Sequence, residues 1–211
     1  INTELYRPDR ETDVLERLGV DPDRPSVVFV GRITRQKGVP HLLRAALQFH
    51  ESAQLVLLAG AADTPELAAE TDAAIAELRG RRDGVFVVSE MLPREQVRQV
   101  LTHGTVFACP SVYEPLGIVN LEAMACETAV VASDVGGIPD VVVEGETGLL
   151  VHYDESDTST FENDFAAAVN QVLGDRQQAT AMGVAGRQRA ISEFGWDIAA
   201  QRTMAIYESL L

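Results

Sequence analysis

Basic residues stand close together in a glycine-bounded loop of an otherwise acidic chain. The loop reads GRITRQKG, and Arg32 and Lys37 lie between Gly31 and Gly38. An arginine grips phosphate oxygens with two parallel hydrogen bonds, and a lysine acts as a point charge. Glycine lets the backbone turn sharply and approach a ligand. The loop therefore predicts an anion site that suits a diphosphate; the alternative is two surface cations in an ordinary loop.

A second candidate segment, which reads PSVYEPLGIVNLE, contains two carboxylates. Glu114 and Glu122 are eight residues apart, roughly 12 Å along a helix, which is similar to the span from a sugar ring across a diphosphate to a ribose. The backbone N–H groups of Leu116, Gly117 and Ile118 lie between them at a predicted helix start, where N–H groups bind anions. A carboxylate accepts hydrogen bonds from sugar hydroxyls. The alternative is that Glu114 caps the helix and Glu122 is solvated.

The scaffold for these candidates is predicted by apolar runs that alternate with helical patterns. Strands are predicted at 26–30, 54–59, 84–89, 105–109, 129–133 and 148–152, and helices at 39–50, 65–79, 94–102, 116–126 and from about 160 onward. Continuous apolar strands joined by helices are typical of a parallel sheet covered on both faces. The predicted fold is therefore α/β, a doubly wound Rossmann-like parallel sheet. The candidate loops follow its strands, at the edge where such sheets bind ligands.

Composition excludes several classes of protein. The 211 residues carry 17 Lys and Arg against 32 Asp and Glu, a net charge of −15, which disfavours binding to nucleic acid or to an anionic membrane surface. No apolar run is long enough for an integral membrane segment. Cys109 and Cys126 lack metal-site spacing, so we expect a reduced, cytoplasmic protein.

The three glycine-rich and acidic motifs together resemble one enzyme family. GRxxxxKG, PSxYEPLGxxxLEA and GGxPDxVxxGxTGLLV, in this order, are similar to the C-terminal domain of the family 4 retaining glycosyltransferases, which have the two-domain GT-B fold. The resemblance implies that Arg32 and Lys37 bind the diphosphate of a nucleotide sugar. It implies that Glu114 contacts the transferred sugar and Glu122 the ribose. Arg32, Lys37 and Glu114 are then the catalytic candidates, and residues 1–211 form one donor-binding domain.

Finer resemblance points to bacterial glycogen synthases of the actinobacterial kind. The segments ITRQKGVPHLL, AGAADTPE and VYEPLGIVNLEAMACETAVVASDVGGIP carry it. Such enzymes use ADP-glucose in glycogen biosynthesis or make maltose 1-phosphate from glucose 1-phosphate. This chain reads VGGIPD where glycogen synthases of other bacteria read TGGL, which leaves donor and acceptor open. Met91 and Leu92, after the third predicted strand, are candidates to contact the base.

No acceptor site is recognisable in the sequence. The chain opens at Ile1 without a start methionine or a signal peptide, and we interpret it as a fragment that follows an interdomain linker. The resemblance implies that an N-terminal domain, absent from this fragment, binds a glucan or sugar-phosphate acceptor. The last predicted helix carries Trp196, Ile198, Ile206 and Tyr207. We expect these side chains either to pack across the domain gap or to fill the core of this domain.

Neither a cofactor nor a metal is expected. Asp63 and Asp134 stand alone in loops and are interpreted as turn or capping residues, while His103 and His152 are interpreted as structural or surface residues. Two alternatives remain at this stage. One is a relative with another nucleotide sugar and acceptor, such as a sucrose-phosphate, inositol-phosphate or cell-envelope glycan enzyme. The other is a regulatory domain that binds a nucleotide sugar without chemistry.

Overall fold

A computed structural model describes residues 1–210; Leu211, the last residue of the expected domain, lies outside them. The strands are β1 Ser26–Ile33, β2 Gln54–Ala62, β3 Val85–Val88, β4 Val106–Cys109, β5 Ala129–Ser133 and β6 Gly148–Val151. The helices are α1 Asp13–Leu18, α2 Val39–Ala46, α3 Pro65–Arg81, α4 Arg94–His103, α5 Ile118–Ala125, α6 Ile138–Val141, α7 Thr158–Gly174, α8 Arg176–Phe194 and α9 Trp196–Ser209.

The strands form one parallel sheet in the order β3-β2-β1-β4-β5-β6. The order reverses between β1 and β4, where Val27 pairs with Val106 and Val28 with Phe107. Loops leaving two such strands diverge to opposite faces and open a crevice at the carboxyl edge, where sheets of this class bind ligands. The predicted doubly wound α/β fold is confirmed.

Hydrophobic cores cover both faces of the sheet because successive strand side chains point in opposite directions. Along β1, Val27 and Phe29 lie in one core and Val28 in the other. The first core packs against α2, α3 and α7, and the second against α4 and α5. This double covering explains why the strands read as continuous apolar runs.

Two of the element boundaries that differ from the predicted ones concern the candidate loops. Strand β1 continues to Ile33, so Gly31 and Arg32 lie in the strand and not in the loop after it. Helix α5 begins at Ile118, two residues later than predicted, because Gly117 has a φ of +85° and serves as its N-cap. The residues before Ile118 therefore form a turn whose N–H groups are available outside the helix.

Close contact between backbones fixes the crevice loops. Gly38 has a φ of +66°, and a Cβ added there would collide with the carbonyl oxygen of Pro110. The loop after β1 therefore lies directly against the loop after β4. A side chain at this position would be strained by its backbone conformation and excluded by its neighbour.

We predict that Gly38→Ala lowers the free energy of unfolding by about 2–5 kcal/mol, because left-handed strain and overpacking add. Gly145→Ala is the matched control, since Gly145 has a φ of +74° but no atom within 4 Å of an added Cβ. The control should lose only about 1–2 kcal/mol from strain. Urea unfolding of both variants tests this, and equal losses would contradict the close-contact explanation.

Candidate functional site

An ion pair joins the two crevice loops. Lys37 follows β1 and Glu114 follows β4, and the Lys37 Nζ lies 2.5 Å from the Glu114 Oε2. The side chains are 26% and 10% exposed, respectively, so water screens their attraction less than at an open surface. The structure thus brings together two of the three predicted catalytic residues at the point where the strand order reverses.

Backbone hydrogen bonds hold the loop after β1 in place. Residues 35–37 form a short 3-10 turn that Thr34 caps, with the Lys37 N–H donating to the Thr34 hydroxyl over 3.1 Å. The N–H of Val112, beyond β4, donates to the carbonyl of Gln36 over 2.9 Å. These bonds tie the backbone of Lys37 to the segment that leads to Glu114.

The loop after β5 supports Glu114 from the other side. The Gly137 N–H donates to the Glu114 carbonyl over 2.9 Å, and Gly136, with a φ of +56°, packs directly against that carbonyl. In addition, the Ser133 hydroxyl donates to the Ser111 carbonyl over 2.5 Å. The two glycines that open the third motif, Gly136 and Gly137, therefore position the main chain of Glu114.

The turn before α5 offers hydrogen-bond donors beside this carboxylate. Within residues 1–210, the backbone N–H groups of Leu116, Gly117 and Ile118 have no hydrogen-bond acceptor. They stand at the amino end of a helix, where the helix dipole adds partial positive charge. The side chains of Leu116 and Ile118 are exposed, while Gly117 is buried. A turn of this kind is suited to hold phosphate or sugar oxygens.

Arg32 does not join the ion pair. Its Nη1 lies 3.4 Å from Asp63 Oδ1, and its side chain is 76% exposed. A pair this exposed holds its partners weakly, so the guanidinium is available to a ligand. Gly31, the other candidate before this loop, pairs with Ala59 of β2.

The two candidates for contacting a base have different environments. Met91 is 98% exposed, whereas Leu92 is 9% exposed and lies in the core on the α4 face. A residue in the core has little side-chain surface to offer a ligand. Of this pair, Met91 is therefore the residue whose side chain is available for base contact, and base contact stays a prediction for both.

Glu122 lies in a partly buried environment away from bulk water. Burial raises the pKa of its carboxyl, and the Tyr6 hydroxyl, Arg94 and the amino group of Ile1 partly oppose that rise. Burial and the neighbouring Glu122 carboxylate also raise the pKa of Tyr6. Such perturbed carboxyls are frequent at functional sites. Tyr6 and Arg94 were missed from sequence, because nothing in a linear pattern places them beside α5.

Similarity to known proteins covers most of the chain. Residues 11–189 match the family described as Glycosyl transferases group 1. The chain belongs to this family. Over 203 residues it is 58% identical to the alpha-maltose-1-phosphate synthase of Mycolicibacterium smegmatis, covering 96% of this chain and 52% of the relative. It is also 35% identical to the D-inositol 3-phosphate glycosyltransferase of Corynebacterium aurimucosum, covering 98% of this chain and 49% of the relative.

Solved structures agree on the fold of this glycosyltransferase chain. Sucrose-phosphate synthase from Thermosynechococcus elongatus superposes with a TM-score of 0.83 at 33% identity, covering 100% of this chain and 51% of that one. The Anabaena protein HepE in complex with UDP-glucose gives a TM-score of 0.84 at 23% identity, covering 100% and 56%. The implied GT-B architecture of a C-terminal domain is confirmed, and the chain spans about half the length of the relatives it matches.

The similarity refines what was expected from the motifs. The relatives named here carry maltose-1-phosphate synthase and inositol-phosphate glycosyltransferase names, so membership in the glycosyltransferase family is shown and the narrower likeness to glycogen synthase is not. No helix in residues 1–210 has the length and apolar character needed to cross a membrane. In the same residues, no three His, Cys, Asp or Glu side chains are grouped as metal ligands would be.

We predict that Glu122→Gln stabilises this glycosyltransferase domain at pH 7.5 and not at pH 4. A carboxyl whose folded pKa is raised by burial binds its proton more tightly when folded. Its contribution to stability is full below the unfolded pKa and is lost as pH rises through the folded pKa. Glutamine carries no charge and avoids that loss.

Thermal unfolding at both pH values provides the measurement. The control is Glu208→Gln on exposed α9, which should leave the melting temperature unchanged at pH 7.5 and at pH 4. A Glu122→Gln protein that melts below the wild type at pH 7.5 would show that the buried carboxylate stabilises the fold.

Proposed function

We propose that this chain is the donor-binding half of a retaining hexosyltransferase of family 4. The observation that carries the proposal is the Lys37–Glu114 pair at the strand-order reversal, together with the unpartnered N–H groups of residues 116–118 beside it. An ammonium and free N–H groups suit a diphosphate, and a carboxylate suits sugar hydroxyls. A nucleoside-diphosphate sugar carries both groups next to each other.

The proposed chemical role of these residues is to stabilise the negative charge on the leaving diphosphate. Breaking the bond between a sugar and a diphosphate builds negative charge on the leaving diphosphate, and preorganised cations and N–H groups stabilise it. Arg32 and Lys37 supply the cations, and the turn at 116–118 supplies the N–H groups. Glu114, fixed by the glycine pair and by Lys37, orients the transferred sugar. In this proposal the reaction needs neither a metal nor a cofactor, and the sugar keeps its configuration.

The proposed donor and acceptor follow the more similar relatives. A maltose 1-phosphate synthase name, shared by relatives at 57% and 58% identity, supports transfer of glucose to a glucose 1-phosphate acceptor. ADP-glucose is the proposed donor, and an α-glucan is the acceptor if the chain acts as a glycogen synthase. Inositol phosphate is the main alternative acceptor, because a relative at 35% identity is named an inositol 3-phosphate glycosyltransferase. A cytoplasmic location belongs to the same proposal, because Cys109 and Cys126 are unpaired thiols.

The acceptor is proposed to bind a separate N-terminal domain. Helix α9 supports this arrangement: none of its described residues is buried, and it exposes Trp196, Met204, Ile206 and Tyr207. Of the two alternatives for this helix, filling of the core is wrong for Trp196, Ile206 and Tyr207, which are exposed, while Ile198 is half-buried. Packing across a domain gap is the proposed use of this apolar surface.

We predict that Arg32→Ala weakens binding of ADP by about 1.5–3 kcal/mol, the usual range for a hydrogen bond to a charged group. The guanidinium is exposed and only loosely paired with Asp63, so its removal should leave the fold intact. Arg35→Ala is the matched control, because Arg35 is 73% exposed and pairs with Glu70 of α3. Calorimetry that finds equal ADP affinities for Arg32→Ala and wild type would refute the diphosphate assignment.

Substitution of the two glutamates should distinguish binding of the sugar from binding of the nucleotide. Glu114→Gln should weaken ADP-glucose by roughly tenfold while ADP keeps its affinity, because this carboxylate faces the sugar and its loss frees Lys37 for phosphate. Glu122→Gln should weaken ADP and ADP-glucose alike, because it faces the ribose.

Competitive binding of both ligands to both variants is the measurement. Equal losses of ADP affinity in the two variants would favour the interpretation of Glu114 as a helix-capping residue. A regulatory domain without chemistry would bind both ligands and show no glucose transfer in the complete protein.

A further inference from the structure

A histidine–aspartate pair lies outside the donor site described so far. The Nδ1 of His152 lies 2.8 Å from the Oδ2 of Asp134. The other carboxylate oxygen, Oδ1, accepts the Tyr153 N–H over 3.1 Å, and the Asp134 N–H donates to the Val151 carbonyl over 2.9 Å. The aspartate is thus fixed by two backbone bonds, and it fixes the imidazole in turn.

The pair stands at the same edge of the sheet as the donor site. Asp134 directly follows β5 and His152 directly follows β6, and Ser133 pairs with Val151 at the end of both strands. Neighbouring strands are ~4.8 Å apart, so β6 ends roughly 10 Å from the end of β4. Met91, by contrast, follows β3 at the opposite end of the strand order. A donor laid from β3 towards β4 therefore points its sugar towards β6.

The free nitrogen of the imidazole faces solvent. The His152 side chain is 79% exposed, and Asp134 engages Nδ1, which leaves Nε2 for a ligand. A surface histidine held by nothing would sample many rotamers, whereas this ring is held in one orientation by a partly buried carboxylate. Within residues 1–210, Nε2 of this oriented ring has no hydrogen-bond partner, so it can bind a ligand.

The charges around the ring select the class of partner. The charged groups that act on His152 are Asp134, from the loop after β5, and Asp154, two residues along its own segment. The hydrogen bond and charge of Asp134 raise the pKa of His152, and Asp154 adds to the rise. Two carboxylates outweigh one imidazolium, so the patch does not attract an anion even when the ring is protonated.

We propose that His152, oriented by Asp134, binds a hydroxyl of the acceptor sugar through its Nε2. The inference rests on the proposed function and names a residue of this half that touches the acceptor. A hydroxyl both donates and accepts. It accepts from the protonated ring, and it donates to Nε2 of the neutral ring, whose proton then stays on Nδ1 beside the aspartate. A phosphate oxygen has no proton to give at neutral pH and pairs only with the protonated ring.

The test is steady-state kinetics of the complete protein with ADP-glucose and glucose 1-phosphate. His152→Ala should raise the KM for glucose 1-phosphate about 5- to 10-fold, the loss expected for one hydrogen bond, while the KM for ADP-glucose changes less than about twofold. His152→Gln should restore most of the affinity, since its amide nitrogen lies near the position of Nε2 and can donate. The KM for glucose 1-phosphate of His152→Ala, divided by that of the wild type, should stay constant between pH 6 and pH 8.5.

His50→Gln is the matched control, because His50 is exposed and lies after α2, on the chain that leads into the amino end of β2. An unchanged KM for glucose 1-phosphate in His152→Ala would overturn the inference, and so would an equal rise for ADP-glucose, which would show that the pair only supports the loop at Gly136. A ratio that falls towards one above the histidine pKa would overturn the hydroxyl assignment in favour of phosphate. Wild-type protein that transfers no glucose would overturn the proposed function and this inference with it.

Discussion

The Lys37–Glu114 ion pair is the interaction around which this domain is organised. Its two residues come from loops 77 positions apart in the chain, and they meet because β1 and β4 are neighbours in a sheet whose order reverses between them. A carboxylate on a side chain that is only 10% exposed is costly without a partner, since an unpaired buried charge destabilises a fold strongly. The pair therefore makes the fold and the site depend on each other, because the site closes only when these strands are adjacent.

Three short loops hold that pair through contacts and hydrogen bonds of their backbones. The loop after β1 lies on Pro110, and the loop after β5 lies on the carbonyl of Glu114, in both cases at a glycine with positive φ. The N–H groups of the turn before α5 are unpaired within residues 1–210. The first N–H groups of a helix have no partner within the helix, so these donors are open to water or to the diphosphate of the proposed ligand.

The two glutamates of the same motif show how environment divides roles. Glu114 is paired with a lysine, whose Nζ lies 2.5 Å from its Oε2. Glu122 is partly buried beside the hydroxyl of Tyr6, and burial raises the pKa of its carboxyl. Glu114 is therefore held by an ion pair, whereas Glu122 is a carboxyl whose pKa is raised by burial. Together with the Asp134–His152 pair, charged or polar side chains follow β1, β4, β5 and β6 at the carboxyl edge of the sheet.

Sequence alone determined the fold class and the main loops, because apolar strands with both faces covered leave a pattern that survives without coordinates. It also singled out Arg32, Lys37, Glu114 and Glu122 as candidates, since glycine spacing and charge are local properties, although Arg32 lies in β1 and Glu122 in α5. Only the tertiary structure decided which of these groups meet: Lys37 pairs with Glu114, while Arg32 turns to Asp63. It also decided that Leu92 belongs to the core, that Tyr6 lies beside Glu122, and that His152 is oriented by Asp134. These contacts join residues 18 to 116 positions apart, and no local pattern encodes them because they depend on strand order and loop closure, which the whole chain sets at once.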